Sequence, residues 1–257
     1  MEKILKTLAF LFILGTVPAN AQIGDFEASI GNAESSGGGD IDDWLFLIDI
    51  LWYPTYGAFF GYEGELDVNA HSFSKYPYVW EDVGMYNRAY EEGRRARTEL
   101  NFHFQSNEDR LYGGYGQIKI SPWRFLNFEL NHLQLIESLN TPDEGTDQLA
   151  ITNFNVQFNR IRHHKIQGWW GGGLMFINGE EATVTPSAVL GTTIYIKKPI
   201  SLYLDAQIGW PEGTVVTQTQ ARLQIHLNRF KVYGGYQGLR FGRVFEPNWM
   251  FGFGAYF

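Results

Sequence analysis

The chain has 257 residues, no cysteine, 28 acidic side chains against 20 lysines and arginines, and a formal charge of -8. Without thiols there is no disulfide scaffold and no lipidated amino-terminal cysteine, and the acidic balance argues against a nucleic-acid partner. Aromatics make up 16% and glycine 29 residues, with a slightly polar mean hydropathy of -0.22. A bundle of membrane helices would be far more apolar, whereas a β-barrel hides its apolar face in every second residue.

Residues 1–21 read as an export signal. Lys3 and Lys6 precede an apolar run over 8–17, broken only by Gly15 and Thr16, and Ala19-Asn20-Ala21 forms an A-x-A cleavage site. Cleavage before Gln22 removes Glu2, Lys3 and Lys6, a net +1, and takes the charge from -8 to near -9. No later segment approaches the roughly 18 to 20 uninterrupted apolar residues of a spanning helix. Residues 22–97 form a second region. Within it, 23–32 suit a short strand or extended arm, and Ser35-Ser36-Gly37-Gly38-Gly39 suits a flexible linker. Over 40–54, Trp44, Leu47, Ile48 and Leu51 share a helical stripe behind Asp42 and Asp43. That pattern predicts a short helix at a membrane interface or against the rest of the protein, with a buried strand as the alternative. Residues 56–73 hold a possible hairpin around Glu63-Gly64-Glu65, and 74–97 lose all periodicity, as a loop, plug or connection would.

From residue 98 to 257 the pattern is regular. Alternation predicts ten strands, at 98–105, 110–120, 123–136, 148–161, 165–177, 184–197, 200–210, 214–228, 230–241 and 248–257. Phe154, Val156 and Phe158 alternate with Asn153, Asn155, Gln157 and Asn159, and Leu223, Ile225 and Leu227 alternate with Arg222, Gln224, His226 and Asn228. In a β-sandwich the polar faces would meet bulk water and favour Lys and Glu. Here they are rich in amides, which suits a narrow, hydrogen-bonded interior. In the 123–136 strand, Leu126, Phe128 and Leu130 are followed by Leu133 and Leu135, a change of phase that predicts a β-bulge near Asn131-His132.

The last strand places Trp249, Phe251, Phe253, Ala255 and the terminal Phe257 on one face, and Met250, Gly252, Gly254 and Tyr256 on the other. A C-terminal Phe closing a strand of alternating aromatics resembles the final strand of bacterial outer-membrane β-barrels. The resemblance implies an all-β, antiparallel up-and-down transmembrane β-barrel of 10–12 strands with a short N-terminal helix or plug segment, located in the cell outer membrane after export. It also implies that Trp249, Phe251, Phe253 and Phe257 form the signal read by the barrel-assembly machinery, and that outer-membrane lipid surrounds the protein. With Phe257 on the inner side, 121–122, 162–164, 197–199 and 228–229 become tight, largely basic inner turns. Residues 106–109, 137–147, 178–183, 211–213 and 242–247 become mostly longer, acidic outer loops. Trp210 and Trp249 then mark an outer aromatic girdle, and Trp123 and Tyr256 an inner one.

The ionisable residues of the inner face are the candidate site. Register through 211–213 and 228–229 sets Tyr203 and Gly235 beside Arg222, Asp205 a diagonal step away within pairing reach, and His226 beside Lys231. His103 and Glu129 also point inward, with Gly113 between them in strand order. These seven ionisable residues predict a structural polar network, since buried charges are normally paired. No catalytic residue, metal ligand set or cofactor is expected. His163-His164 diverge and lack a third ligand, no G-x-S-x-G elbow is present, and Gly171-Gly172-Gly173 suits close packing in a strand. The reading is a barrel with a narrow polar lumen and a structural, binding or restricted-transport role. The alternatives are a lipid-modifying hydrolase, or a small pore if twelve-stranded and unplugged.

Overall fold

A computed structural model describes residues 72–79, 83–87, 94, 96–107, 111–138, 146–179, 182–211 and 214–257. The expected signal, linker and helix, and nearly all of the 56–73 hairpin, lie outside these residues. Two short strands, β1 Ser72–Phe73 and β2 Tyr86–Asn87, pair with each other. The remaining ten are β3 Arg97–Ser106, β4 Leu111–Trp123, β5 Leu126–Ser138, β6 Thr146–Arg162, β7 Ile166–Asn178, β8 Ala182–Lys197, β9 Ile200–Gly209, β10 Val216–Leu227, β11 Phe230–Phe241 and β12 Val244–Tyr256. Each pairs antiparallel with its sequence neighbour, and β12 pairs with β3 to close a barrel. The barrel is therefore ten-stranded, and the Phe73 end of the expected hairpin pairs outside it.

Closure follows from the alternation. Along β10 one face is buried throughout and the other half-buried to exposed, and β3 and β12 alternate in the same way. Polar and small residues, with a set of leucines discussed below, turn inward. Large apolar residues stand exposed on all ten strands, among them Phe104, Ile118, Leu130, Phe154, Leu174, Leu190, Ile200, Leu223, Phe230 and Phe251. One rim carries the tight connections 124–125, 163–165, 198–199 and 228–229, together with Phe257 (the turn rim). The opposite rim carries the other strand ends, Ser106 and Leu111, Ser138 and Thr146, Asn178 and Ala182, Gly209 and Val216, and Phe241 and Val244 (the loop rim). Asn228 takes a left-handed φ of 57° in its turn, a conformation that asparagine tolerates.

Three expectations are corrected. The β4–β5 turn lies at 124–125 rather than 121–122, because the register shifts between Ile120 and Trp123 and carries the chain past Pro122 before it turns. There is no bulge at Asn131-His132: β5 and β6 pair without interruption from Leu126↔Phe158 to Ser138↔Thr146. His132 simply faces outward, and Asn131, Leu133 and Leu135 all face inward. Finally, Tyr256 is buried in the lumen rather than standing on the outside as a girdle residue, whereas Trp123 and Trp249 are exposed.

The run Gly171-Gly172-Gly173 serves close packing. A Cβ on Gly171 would lie 2.0 Å from the Val156 carbonyl oxygen, and one on Gly173 would lie 1.9 Å from that of Phe154, so β6 and β7 approach only because these side chains are absent.

Candidate functional site: the barrel lumen

In the turn-side half the lumen is lined by ion pairs and amides. Lys231 Nζ on β11 reaches past β12 to Glu99 Oε1 on β3 at 2.5 Å, and Arg97 Nη2 approaches the other Glu99 oxygen at 3.5 Å. Lys119 Nζ on β4 pairs with Glu129 Oε2 on β5 at 2.8 Å and lies 4.2 Å from the centre of the Trp169 ring on β7. Cross-strand register explains the grouping, since Glu99 faces Lys119 and Lys119 faces Glu129 across adjacent strands. Asn101 Nδ2 donates to Gln117 Oε1 and Glu99 Oε1, and Asn131 Nδ2 donates to Glu129 Oε1. Asn153 on β6 donates across the lumen to Gln218 Oε1 on β10 at 2.9 Å. A buried charge without such partners costs several kcal/mol, and here each carboxylate of these pairs also accepts from a neighbouring amide.

Arg222 occupies the centre. Its guanidinium carbon lies 4.8, 4.9 and 5.3 Å from the ring centres of Tyr203, Tyr233 and Tyr115, and its Nη2 donates to Gln220 Oε1. Three aromatic faces supply the negative potential that a buried cation lacks. The expected Asp205–Arg222 ion pair is not formed. Gln220, which faces Asp205 in the register, takes the guanidinium instead. Gly235 faces Arg222 as expected, with its position close against the Ala221 and Arg222 backbone. His103 stacks on Tyr115, centres 4.4 Å apart, and its Nε2 lies 2.9 Å from Gln237 Oε1 on β11. Tyr115 and Lys119, rather than Gly113, stand between His103 and Glu129.

Toward the loop rim the lining changes character. Leu111, Leu133, Leu135, Leu149, Ile151, Met175, Ile177, Val216, Leu239 and Phe241 pack into one buried apolar cluster on the inner face. The expected polar lumen therefore describes only part of the interior.

At the turn rim, residues 72–79 and 83–87 lie across the mouth. The Gly84 amide donates to the His164 carbonyl at 2.7 Å, the Tyr86 hydroxyl to the Arg124 carbonyl at 3.0 Å, and the Tyr78 hydroxyl to the Ile200 carbonyl. Phe73, Tyr78, Met85 and Tyr86 pack with Tyr195 and Tyr256 of the barrel. A Cβ on Gly84 would fall within 2.5 Å of the Tyr195 ring, so only glycine passes there. Below this cover, Ser201 Oγ lies 2.7 Å from His226 Nε2. The far ring nitrogen faces the Tyr256 hydroxyl at 3.5 Å. It thus meets a phenol, where acyl-transfer triads place a carboxylate or amide to orient the base.

Among the seven residues expected from sequence, Tyr203 and Arg222 meet directly, and His226 and Lys231 are register partners. Glu129 belongs to a separate pair with Lys119. Arg97, Glu99, Lys119, Tyr115 and Tyr233 were not expected, although the Glu99–Lys119–Glu129 charge alternation is present once register is carried across the hairpins. The His163 and His164 rings lie 4.0 Å apart in the turn. Among the described residues, no group of three or more His, Asp or Glu side chains is placed to hold a metal ion. The chain matches no model of a known protein family, and comparison with curated proteins likewise returns no match.

Proposed function

We propose that this chain is an integral outer-membrane β-barrel protein, exported and inserted with its turn rim inward, whose lumen is closed by its own side chains. It then serves a structural or binding role rather than that of an open pore. The observation that carries the reading is the inversion of the barrel. Apolar side chains stand exposed around all ten strands while lysines, arginines, carboxylates and amides are buried inside. Soluble monomers rarely expose a contiguous apolar patch above roughly 300–600 Å², and a lipid bilayer is the solvent that makes such a belt favourable. Phe251 and Trp249, at 72% and 70% exposure, suit the assembly signal that the sequence resemblance implies.

Closure rests on three levels: the aromatic cover at the turn rim, the Arg222–tyrosine cage and the Asn153–Gln218 bridge across the centre, and the apolar cluster below the loop rim. Any permeating ion would have to leave water at the last of these, at a cost of many kcal/mol. The test has two parts. The protein should fractionate with the outer membrane, require detergent for extraction, and migrate faster unheated than boiled on gels. In planar bilayers it should give no steady conductance. Recovery in the soluble fraction without detergent overturns the membrane reading, and a stable open channel overturns the closed lumen.

A further inference from the structure

The outward face of β5 runs Leu126, Phe128, Leu130, His132, Gln134, Ile136. An imidazole and an amide thus interrupt an apolar wall that resumes beyond them. His132 is exposed and Gln134 half-buried. His132 Nδ1 lies 2.8 Å from Thr152 Oγ1 on β6. With that hydroxyl donating to Nδ1, the donor of the exposed ring is Nε2. In lipid, a donor left without a partner costs free energy.

Beside this pair the wall is hollow. Gly116 faces His132 and Gly114 faces Gln134 in the β4–β5 register, while Phe102 and Phe104 face the same two glycines from β3. A Cβ on Gly114 would meet nothing within 4 Å, and one on Gly116 would meet only the Phe102 ring, at 3.5 Å. Packing therefore does not require either glycine. Together they leave a furrow, open to the outside, with aromatic rings on one bank and hydrogen-bonding groups on the other. The register neighbours of His132 and Gln134 are Gly114, Gly116, Ala150 and Thr152, with no cation among them, so the site matches a carbonyl oxygen better than a phosphate.

We infer that this furrow binds one diacyl glycerophospholipid, an acyl chain lying over Gly114 and Gly116 against Phe102 and Phe104, and an ester carbonyl accepting from His132 Nε2. The inference rests on the membrane reading above and names the ligand of its outer wall.

The test uses the full-length protein in mild detergent, titrated with ester-linked phosphatidylethanolamine and with its dialkyl ether analogue, which lacks the carbonyls, by native mass spectrometry. The ester lipid should bind at one copy per chain and about fivefold more tightly than the ether, the worth of one hydrogen bond. His132→Leu should abolish that preference while leaving the thermal unfolding temperature unchanged or raised, because it makes the wall more apolar. Gly114→Leu should weaken both lipids alike by filling the furrow. Equal binding of ester and ether by the wild type, or an ester preference that survives His132→Leu, overturns the site while leaving the membrane reading intact. A protein dimer abolished by Gly114→Leu assigns the furrow to a second copy and overturns it as well. Recovery without detergent removes both readings.

Discussion

The two halves of the lumen are built from the same ten strands, yet they are held by different forces. On β5 the inward face changes from Asn127, Glu129 and Asn131 to Leu133 and Leu135, and on β6 it changes from Asn155 and Asn153 to Ile151 and Leu149. The turn-side half depends on geometry, because each charge must find its partner at hydrogen-bond distance. The loop-side half depends on volume, because apolar packing is non-directional. Inward-facing and polar are thus separate properties in a closed barrel: the outside is set by its surroundings, while the inside is free to use either device.

The largest effect is expected of Glu99→Leu, which leaves Lys231 and Arg97 buried without their shared carboxylate. It should lower unfolding stability by about 3–5 kcal/mol, measured by denaturant titration of the folded fraction in detergent. Adding Lys231→Met should recover part of the loss, and no recovery would mean that the pair is not coupled. Next, Leu135→Ala in the apolar half should cost about 2–4 kcal/mol by the same titration, with Leu135→Met far milder. If the methionine variant is as damaging as the alanine, shape rather than volume governs that half. Gly173→Ala should cost roughly 1–3 kcal/mol through overpacking against β6. A neutral result would show that the strands can separate there. Last, replacing both Lys119 and Glu129, as Lys119→Met with Glu129→Leu, should change stability by less than about 1 kcal/mol, since exchanging a whole buried pair for apolar groups is often neutral. A loss as large as that of Glu99→Leu would show the polar half to be intolerant of any apolar substitute.

Most of the fold was legible in the sequence because lipid-like and lumen-like residues alternate with a period of two, and the ten strands fall close to where that period put them. The error at Asn131-His132 has an instructive cause. If each face has one character, the appearance of Leu133 and Leu135 reads as a change of phase. In fact the phase held and the faces changed: leucine entered the lumen, and histidine went outside. The candidate site was legible only where neighbours follow from one hairpin, as for Tyr203 with Arg222. Contacts that skip a strand, such as Lys231 with Glu99, depend on the closure of β12 against β3 and on barrel diameter, which no local pattern carries. The Arg222 cage was missed for a related reason. Tyr115 comes from the far side of the barrel, and an arginine one diagonal step from an aspartate suggests an ion pair until Gln220 is seen to take the guanidinium.

The closure itself has a consequence in time. The Thr98 amide donates to the Phe257 carbonyl at 3.0 Å, and the Phe257 amide donates to the Thr98 carbonyl at 2.8 Å, so the first and last barrel strands meet only after everything between them has been made. Hairpins such as β10–β11 can form early, but the step that removes both sheet edges carries the largest loop-closure entropy and the slowest search. Until then β3 and β12 each present an unpaired edge beside exposed aromatics, the combination most prone to pair with the wrong chain. A chain with this topology is most exposed to mispairing with its own copies before its last strand closes on its first, and that hazard follows from the order of its strands.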